Sequence, residues 1–144
     1  MKHLIYGLFI TSCFSVSPLL ANSLTIEVAG VTDAEGEIRI ALFDKADGFP
    51  DEASLFRGDT ALASLADASG KIIFHFTALV PGIYAIAAYH DKNGNQQLDK
   101  NFFGLPKEPY GISNNIRARF GPPTFEKALF EITRMDKVVE LTLD

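Results

Sequence analysis

The sequence predicts an all-β protein, an antiparallel β-sandwich of about seven strands, and three observations support this fold class. Short segments alternate apolar and polar residues, which is the pattern of half-buried strands. Turn-forming residues separate these segments at regular intervals. No long amphipathic helix is evident, so we expect strands to build the core.

The first 21 residues predict a cleavable secretory signal peptide that precedes the sandwich. Lys2 is followed by an uncharged, largely apolar stretch over residues 4–20, and the small residue Ala21 suits a cleavage site. A membrane-spanning helix needs about 20 mostly apolar residues, and this stretch is shorter and interrupted by polar side chains. We therefore expect export to the periplasm or the exterior, no transmembrane segment after cleavage, and one sandwich domain over residues 22–144.

Cys13 offers an alternative to simple cleavage. Residues 10–13 read Ile-Thr-Ser-Cys and resemble a lipoprotein box, in which the cysteine becomes a lipid-modified N-terminus. The apolar stretch continues past Cys13, which favours an ordinary signal peptide. Since Cys13 is the only cysteine, cleavage after Ala21 leaves no disulfide, no thiol nucleophile and no thiolate metal site.

The charge distribution argues against a nucleic-acid partner. The net charge is -5, and the basic residues form no patch that could bind a phosphate backbone. We expect the partner to be a protein, a small molecule or a glycan.

The first half of the domain predicts four strands. Residues 24–28 and 38–42 alternate clearly, and the turn-forming residues between them predict a hairpin. Residues 44–59 are a longer connection, residues 62–65 a weak strand, and residues 71–76 a strong strand.

The second half predicts three further strands around a long loop. Residues 84–89 form a strand, and a polar excursion extends to residue 115. Residues 124–127 predict one helical turn, and residues 129–132 and 138–143 the closing strands. Because strands supply the core, we expect the function to lie in the loops.

The loop over residues 90–115 carries a pattern similar to a calcium-binding EF-hand loop. Its oxygen-bearing groups occupy positions 1, 3, 5, 7 (a backbone carbonyl) and 9 of that motif, at Asp91, Asn93, Asn95, Gln97 and Asp99. Gln96 replaces the usual glycine at position 6, and Phe102 replaces the glutamate at position 12. Asn101 and Glu108 are candidates for a further ligand, and we expect weak binding, with a dissociation constant on the order of 10⁻⁴–10⁻³ M. The alternative is a metal-free loop in which Asp and Asn form Asx turns.

The later part of the loop predicts a rigid recognition segment. It combines glycine, proline, aromatic and small polar residues, which are typical of shaped binding loops. The candidate ligand-contacting residues are Glu108, Tyr110, Ser113, Asn114 and Asn115. The alternative is that the prolines and Tyr110 only hold the excursion against the sheet.

Four sequence pieces resemble one family of exported bacterial proteins, domain-of-unknown-function family 2141. They are Leu79-x-Pro81-Gly82-x-Tyr84-Ala85, His90-Asp91-x-Asn93-x-Asn95-x-x-Leu98-Asp99-x-Asn101, Gly104-x-Pro106-x-Glu108-x-Tyr110-Gly111-x-Ser113-Asn114-Asn115 and Phe125-x-x-Ala128-x-Phe130. Pro109 and Ile112 depart from the glycine and phenylalanine expected there. The resemblance implies export and a sandwich like those of transthyretin or immunoglobulin domains, but no established biochemical role.

The favoured function is therefore a non-enzymatic binding or accessory module of the cell envelope, with residues 90–115 as its functional surface and calcium as its one candidate cofactor. One alternative is a glycosidase-like hydrolase that uses a carboxylate pair from Asp91, Asp99 and Glu108. The sequence has no Gly-x-Ser-x-Gly elbow, and we assign no catalytic residue. Another alternative is a structural protein that presents a strand edge to a partner.

Overall fold

The computed structural model describes residues 22–117 and 121–144, and within them the chain is mostly strand. The strands are β1 (Ser23–Ala29), β2 (Glu37–Phe43), β3 (Arg57–Leu62), β4 (Ile72–Thr77), β5 (Gly82–Asp91), β6 (Tyr110–Ile112), β7 (Phe130–Ile132) and β8 (Lys137–Thr142). One short helix, α1 (Phe125–Ala128), confirms the predicted helical turn. The predicted signal peptide and the Cys13 lipid anchor lie outside the described residues.

Two sheets confirm the predicted all-β sandwich. The smaller sheet has the order β4-β1-β8, and the larger has the order β3-β2-β5-β6. β7 also pairs with β5, at residues 82–84, whereas β6 pairs with residues 87–89. The two short strands therefore lie end to end along one edge of β5.

The core lies between the sheets because alternate side chains of each inner strand point toward the other sheet. Ile26 of β1 and Phe74 of β4 face Ile40 of β2 and Ile86 of β5, and all four are buried in one cluster. Burial of apolar surface stabilises the fold by about 25 cal/mol per Å². The predicted alternation of residues 71–76 is confirmed, since Ile73 on the same strand is exposed.

The predicted hairpin between the first two strands is wrong. β1 pairs with β4 and β8, whereas β2 pairs with β3 and β5 in the other sheet. Alternation indicates which face of a strand is buried but not which strand lies beside it. Residues 30–36 therefore carry the chain from one sheet to the other.

Two further details differ from the sequence-based expectation. The described residues form eight strands rather than seven, and β1 and β8 run parallel, unlike every other described pair. The weak strand predicted at residues 62–65 is displaced: β3 ends at Leu62, and Ala63–Leu65 form a 3-10 turn.

The outer face of the larger sheet is covered by loop segments. Phe49, from the connection after β2, contacts Phe43 edge-on at 5.0 Å and Phe125 of α1 at 5.7 Å between ring centroids. A small second cluster around Ala85 and Ile112 is buried beneath them. In the described ranges, 22–117 and 121–144, no helix is both long and apolar enough to cross a bilayer.

Candidate functional site

The long excursion leaves the sheet at the end of β5 and returns one strand away at β6. The His90 backbone N–H donates to the Pro109 carbonyl at 2.9 Å, which closes the base of the excursion. The buried Glu108 carboxylate accepts hydrogen bonds from the backbone N–H groups of Lys92 at 2.9 Å and Asp99 at 3.0 Å. Glu108, a candidate ligand-contacting residue, therefore joins the two halves of the loop.

Asp91 is fully buried and organises the first turn of the excursion. Its Oδ1 accepts the Gly94 N–H at 2.8 Å, and its Oδ2 accepts the Gln96 N–H at 2.8 Å. Gln96 has φ 63, so a non-glycine residue adopts the left-handed conformation at position 6 of the motif. A left-handed residue therefore occupies this position although the usual glycine is absent.

The remaining predicted calcium ligands come together around one carboxylate. The Asn93 Nδ2 donates to Asp99 Oδ2 at 2.6 Å, and the Asn95 Nδ2 donates to Asp99 Oδ1 at 2.9 Å. The Asn95 Oδ1 accepts the Gln97 N–H at 2.9 Å in an Asx turn. These hydrogen bonds stabilise the loop.

The predicted ligands are of the chemical type that calcium binds, but there are fewer of them than calcium prefers. Calcium prefers six to eight oxygens, and the five ligands predicted for this loop are two carboxylates, two carboxamides and a backbone carbonyl. Each carboxamide would have to rotate so that its oxygen, rather than its nitrogen, faces Asp99. Across residues 22–117 and 121–144, no three Asp, Glu, His or Cys side chains are placed to hold a metal together.

His90 lies beneath this loop and is fully buried. Its Nε2 lies 2.6 Å from the Glu35 carbonyl oxygen, and Nε2–H donates to it. The buried Nδ1 has no hydrogen-bond partner in the part of the chain that the structure describes. His90 thereby holds the crossing segment of residues 30–36 against the end of β5.

The Ser113 side chain forms hydrogen bonds at the edge of the larger sheet. Its hydroxyl accepts the Ile86 N–H at 2.9 Å and donates to the Ala128 carbonyl at 2.6 Å, in a fully buried position. Tyr110 packs partly buried against the second cluster, as the interpretation that it holds the excursion against the sheet expects.

Asn114 and Asn115 bind the backbone of neighbouring segments. The Asn114 Nδ2 donates to the carbonyls of Lys127 and Leu129, both at 3.0 Å. The Asn115 Oδ1 accepts the Thr142 N–H at 2.8 Å. Both asparagines have positive φ, 63 and 50, which asparagine tolerates better than most residues. The Ser-Asn-Asn segment thus connects β6, α1 and β8.

A second exposed segment of the excursion is residues 101–105, here called the aromatic tip. Phe102 is 98% exposed, Phe103 83% and Leu105 60%. The two rings contact each other edge-on with centroids 5.6 Å apart. Our sequence reasoning treated Phe102 only as a missing calcium ligand. The adjacency of two aromatic residues inside a polar segment was the signal for exposure, because neighbouring residues of a strand cannot both face one core.

The aromatic tip is held by a small hairpin. Lys100 and Pro106 form an antiparallel bridge, and the Lys107 N–H donates to the Asp99 carbonyl at 2.8 Å. The Asn101 Oδ1 accepts the N–H groups of Phe103 at 2.9 Å and Leu105 at 3.0 Å. The apolar side chains therefore project from a defined turn.

A polar cluster on the larger sheet, which sequence reasoning missed, is also structural. The Glu52 carboxylate accepts hydrogen bonds from Arg39 Nη2 and from the Tyr89 hydroxyl, both at 3.0 Å. Burial, followed by the hydrogen bond to Glu52, raises the pKa of the Tyr89 hydroxyl. The cluster holds the connection after β2 onto the outer face of the sheet.

The three acids of the hydrolase alternative do not line either of two depressions on the described surface. Asp91 and Glu108 accept backbone N–H groups, and Asp99 accepts the two asparagine amides. The larger depression, about 390 Å³, lies between Glu37 and Lys92, and the smaller, about 160 Å³, lies between Asp33 and Ser64.

Comparison with known proteins gives one match. The family described as "Uncharacterized protein conserved in bacteria (DUF2141)" matches residues 26–140, which extend from β1 into β8. No curated protein and no solved structure matches the chain.

Proposed function

Because the chain belongs to the DUF2141 family of uncharacterized bacterial proteins, we propose its function from its own geometry: an exported binding or accessory module of the cell envelope. In this proposal the module performs no chemistry, and the excursion over residues 90–115 is its functional surface.

One observation carries the proposal. Hydrogen bonds order the excursion from Asp91 to Glu108, yet the aromatic tip between them exposes three apolar side chains. Ordered exposed apolar groups that cluster at one place mark sites of interaction. Two phenylalanine rings exposed to water add no stability to the loop itself, whereas a partner that covered them would be bound more tightly.

The alternatives receive less support. The carboxylates of the hydrolase alternative are engaged with the loop backbone and the asparagine amides, which gives them a structural role. The strand-edge alternative would use an edge such as β3, which carries Arg57 and Asp59. Charged residues on an edge strand disfavour pairing with another chain.

Photo-crosslinking in living bacteria tests the proposed surface. A photoreactive phenylalanine at position 103 should form an adduct that the same residue at position 80 does not form. Val80 is a matched control because it is 71% exposed and precedes β5, whereas the excursion follows it. Equal labelling at both positions, or none at position 103, would refute the loop as the functional surface.

Export has its own test. Mass spectrometry of the protein from the envelope fraction should find an N-terminus at Asn22, or at Leu24 if cleavage follows the small residue Ser23. It should find a lipid on Cys13 if the alternative holds. An intact N-terminus in the cytoplasmic fraction would refute export.

We further propose that the Asp91 loop binds calcium weakly. The convergence of Asn93 and Asn95 on Asp99 and the left-handed Gln96 support this. At a calcium concentration tenfold above the dissociation constant, we expect a gain in unfolding free energy of about 1.4 kcal/mol. Thermal melts in calcium, magnesium and chelator measure it, and Asp99→Asn should abolish the gain. An unchanged melting temperature at millimolar calcium would rule the site out.

A further inference from the structure

We propose that the aromatic tip inserts into an anionic lipid surface. This inference rests on the proposed function, because it names the partner of the same loop. It starts from the side chains that the tip presents, Phe102, Phe103 and Leu105, which are all largely exposed and carry no polar group. Such side chains gain free energy wherever they leave water, at about 25 cal/mol per Å².

The charges around the tip select the kind of surface. Residues 100–107 contain two exposed lysines and no acid, and the flanking Asp99 and Glu108 are half-buried and buried, with carboxylates that accept hydrogen bonds inside the loop. The whole chain, by contrast, has a net charge of -5. Lys100 and Lys107 are exposed, and neither forms an ion pair with any residue that the structure describes. A lysine close to an anionic bilayer contributes about 1 kcal/mol to binding. An anionic surface should therefore attract the tip and repel the remainder of the molecule.

The cationic and the apolar side chains lie at different levels of the hairpin that carries the tip. The Lys100–Pro106 bridge lies at the base of the hairpin, and the two phenylalanine rings lie at its end. Rings at the end would enter the boundary between headgroups and acyl chains while the lysines remain at the level of the lipid phosphates. The apolar end of the hairpin would thus meet the acyl chains, and its cationic base would meet the phosphates of the headgroups.

The same features fit a protein partner less well. Phenylalanine is enriched at protein–protein interfaces but lysine is depleted there, and the tip is the end of a short hairpin rather than a broad patch. Phe102, Phe103 and Leu105 also offer no side-chain hydrogen bond that could specify a protein surface. A fluid lipid surface needs no such complementarity.

The absence of tryptophan from the chain permits a direct test. In Phe102→Trp the only tryptophan lies at the tip, and in Val80→Trp it lies before the opposite end of β5, roughly 30 Å away along that strand. Vesicles of phosphatidylcholine mixed with phosphatidylglycerol should shift the emission of Phe102→Trp to the blue and leave Val80→Trp unchanged. All variants are prepared identically as the full chain, so any contribution of residues 1–21 is constant.

Vesicle sedimentation supplies the magnitudes. Phe102→Ser with Phe103→Ser should lower the partition coefficient by roughly tenfold or more per ring. Lys100→Gln and Lys107→Gln should each lower it about fivefold on anionic vesicles, with no effect on pure phosphatidylcholine. The urea midpoint of the double serine variant should match that of the unmodified chain, because both rings are exposed.

Three results would overturn the inference: no blue shift with anionic vesicles, an equal shift in Val80→Trp, or sedimentation that survives the double serine substitution. Failure here is distinct from failure of the proposed function. If position 103 crosslinks to a protein in cells while vesicles are not bound, the lipid partner is refuted and the functional surface stands. If position 103 forms no adduct, both are refuted.

Discussion

The Ser113 hydroxyl lies 2.9 Å from the Ile86 backbone nitrogen and accepts its hydrogen where neither β6 nor β7 reaches β5. β6 ends its pairing at Ala87 and β7 ends at Tyr84, so a side chain completes the edge between them. The same hydroxyl donates to Ala128 and thereby joins α1 to this edge. The Ser113 side chain thus replaces a backbone hydrogen bond that is missing at this edge of β5.

We expect Ser113→Ala to lower the free energy of unfolding by about 1–3 kcal/mol, because it leaves the buried Ile86 N–H and Ala128 carbonyl without partners. Urea denaturation measures the change. Ser64→Ala, at an exposed position, is the matched control and should stay within about 0.5 kcal/mol of the unmodified chain. Equal stability of the two variants would contradict the role of the hydroxyl.

Glu108→Gln should loosen the excursion. The substitution replaces one carboxylate oxygen by an amide nitrogen, which cannot accept the N–H of Lys92 or Asp99. Since hydrogen bonds to charged groups contribute about 1.5–3 kcal/mol, we expect a loss of about 2 kcal/mol and faster amide exchange at those two residues. Glu126→Gln, at an exposed position of α1, should leave the stability and the amide exchange unchanged. Slow exchange in the Glu108 variant would refute the contact.

Two glycines with the same φ of +72 should respond differently to alanine. A Cβ at Gly36 would lie 2.1 Å from the Asp91 carbonyl oxygen, whereas a Cβ at Gly94 meets nothing within 4 Å. Gly94→Ala should cost about 1–2 kcal/mol from the left-handed backbone alone. Gly36→Ala should cost about 1–3 kcal/mol more, because the backbone must move apart. Similar urea midpoints for the two variants would show that the crossing segment can move away freely.

Asp67 should contribute a pH-dependent part of the stability. Hydrogen bonds from the Ser69 hydroxyl and from the Lys71 and Ser69 backbone N–H groups hold the pKa of this carboxyl below its ordinary value. Because the folded-state pKa is depressed, the contribution is present above the unfolded-state pKa of about 3.9 and is lost as pH falls through the folded-state value. The stability difference between the unmodified chain and Asp67→Asn should therefore shrink over that acid range.

Urea midpoints at a series of pH values measure this difference. Asp47→Asn is the control, because Asp47 is exposed and its carboxylate forms no hydrogen bond with the residues that the structure describes. A difference for Asp67→Asn that stays constant with pH would contradict the assignment.

Strands and their buried faces could be predicted because alternation is a local property. Ile72 and Phe74 illustrate this, since each is buried and the intervening Ile73 is exposed. Partners could not be predicted in the same way: the choice of β4 and β8 as neighbours of β1 depends on contacts distant in sequence. β3 was misplaced because its residues, Arg-Gly-Asp-Thr-Ala-Leu, lack the alternation of a half-buried strand.

The fold brings together some of the residues that the sequence pattern grouped. Asn93 and Asn95, two of the predicted calcium ligands, both donate to Asp99, whereas calcium binding itself stays a prediction. The burial of Glu108 depends on the closure of the whole excursion, and no local pattern indicates it. Ser113 and Asn114 belong to a sheet edge whose gap exists only once β6 and β7 have both paired with β5.

The parallel pairing of β1 with β8 has a consequence for biogenesis. β1 occupies the centre of the smaller sheet, between β4 and the last strand of the chain. During synthesis the chain cannot finish this sheet until β8 has emerged, so the β1 backbone groups that face β8 stay unpaired until then. The smaller sheet therefore closes in a late step, after the last strand has been made.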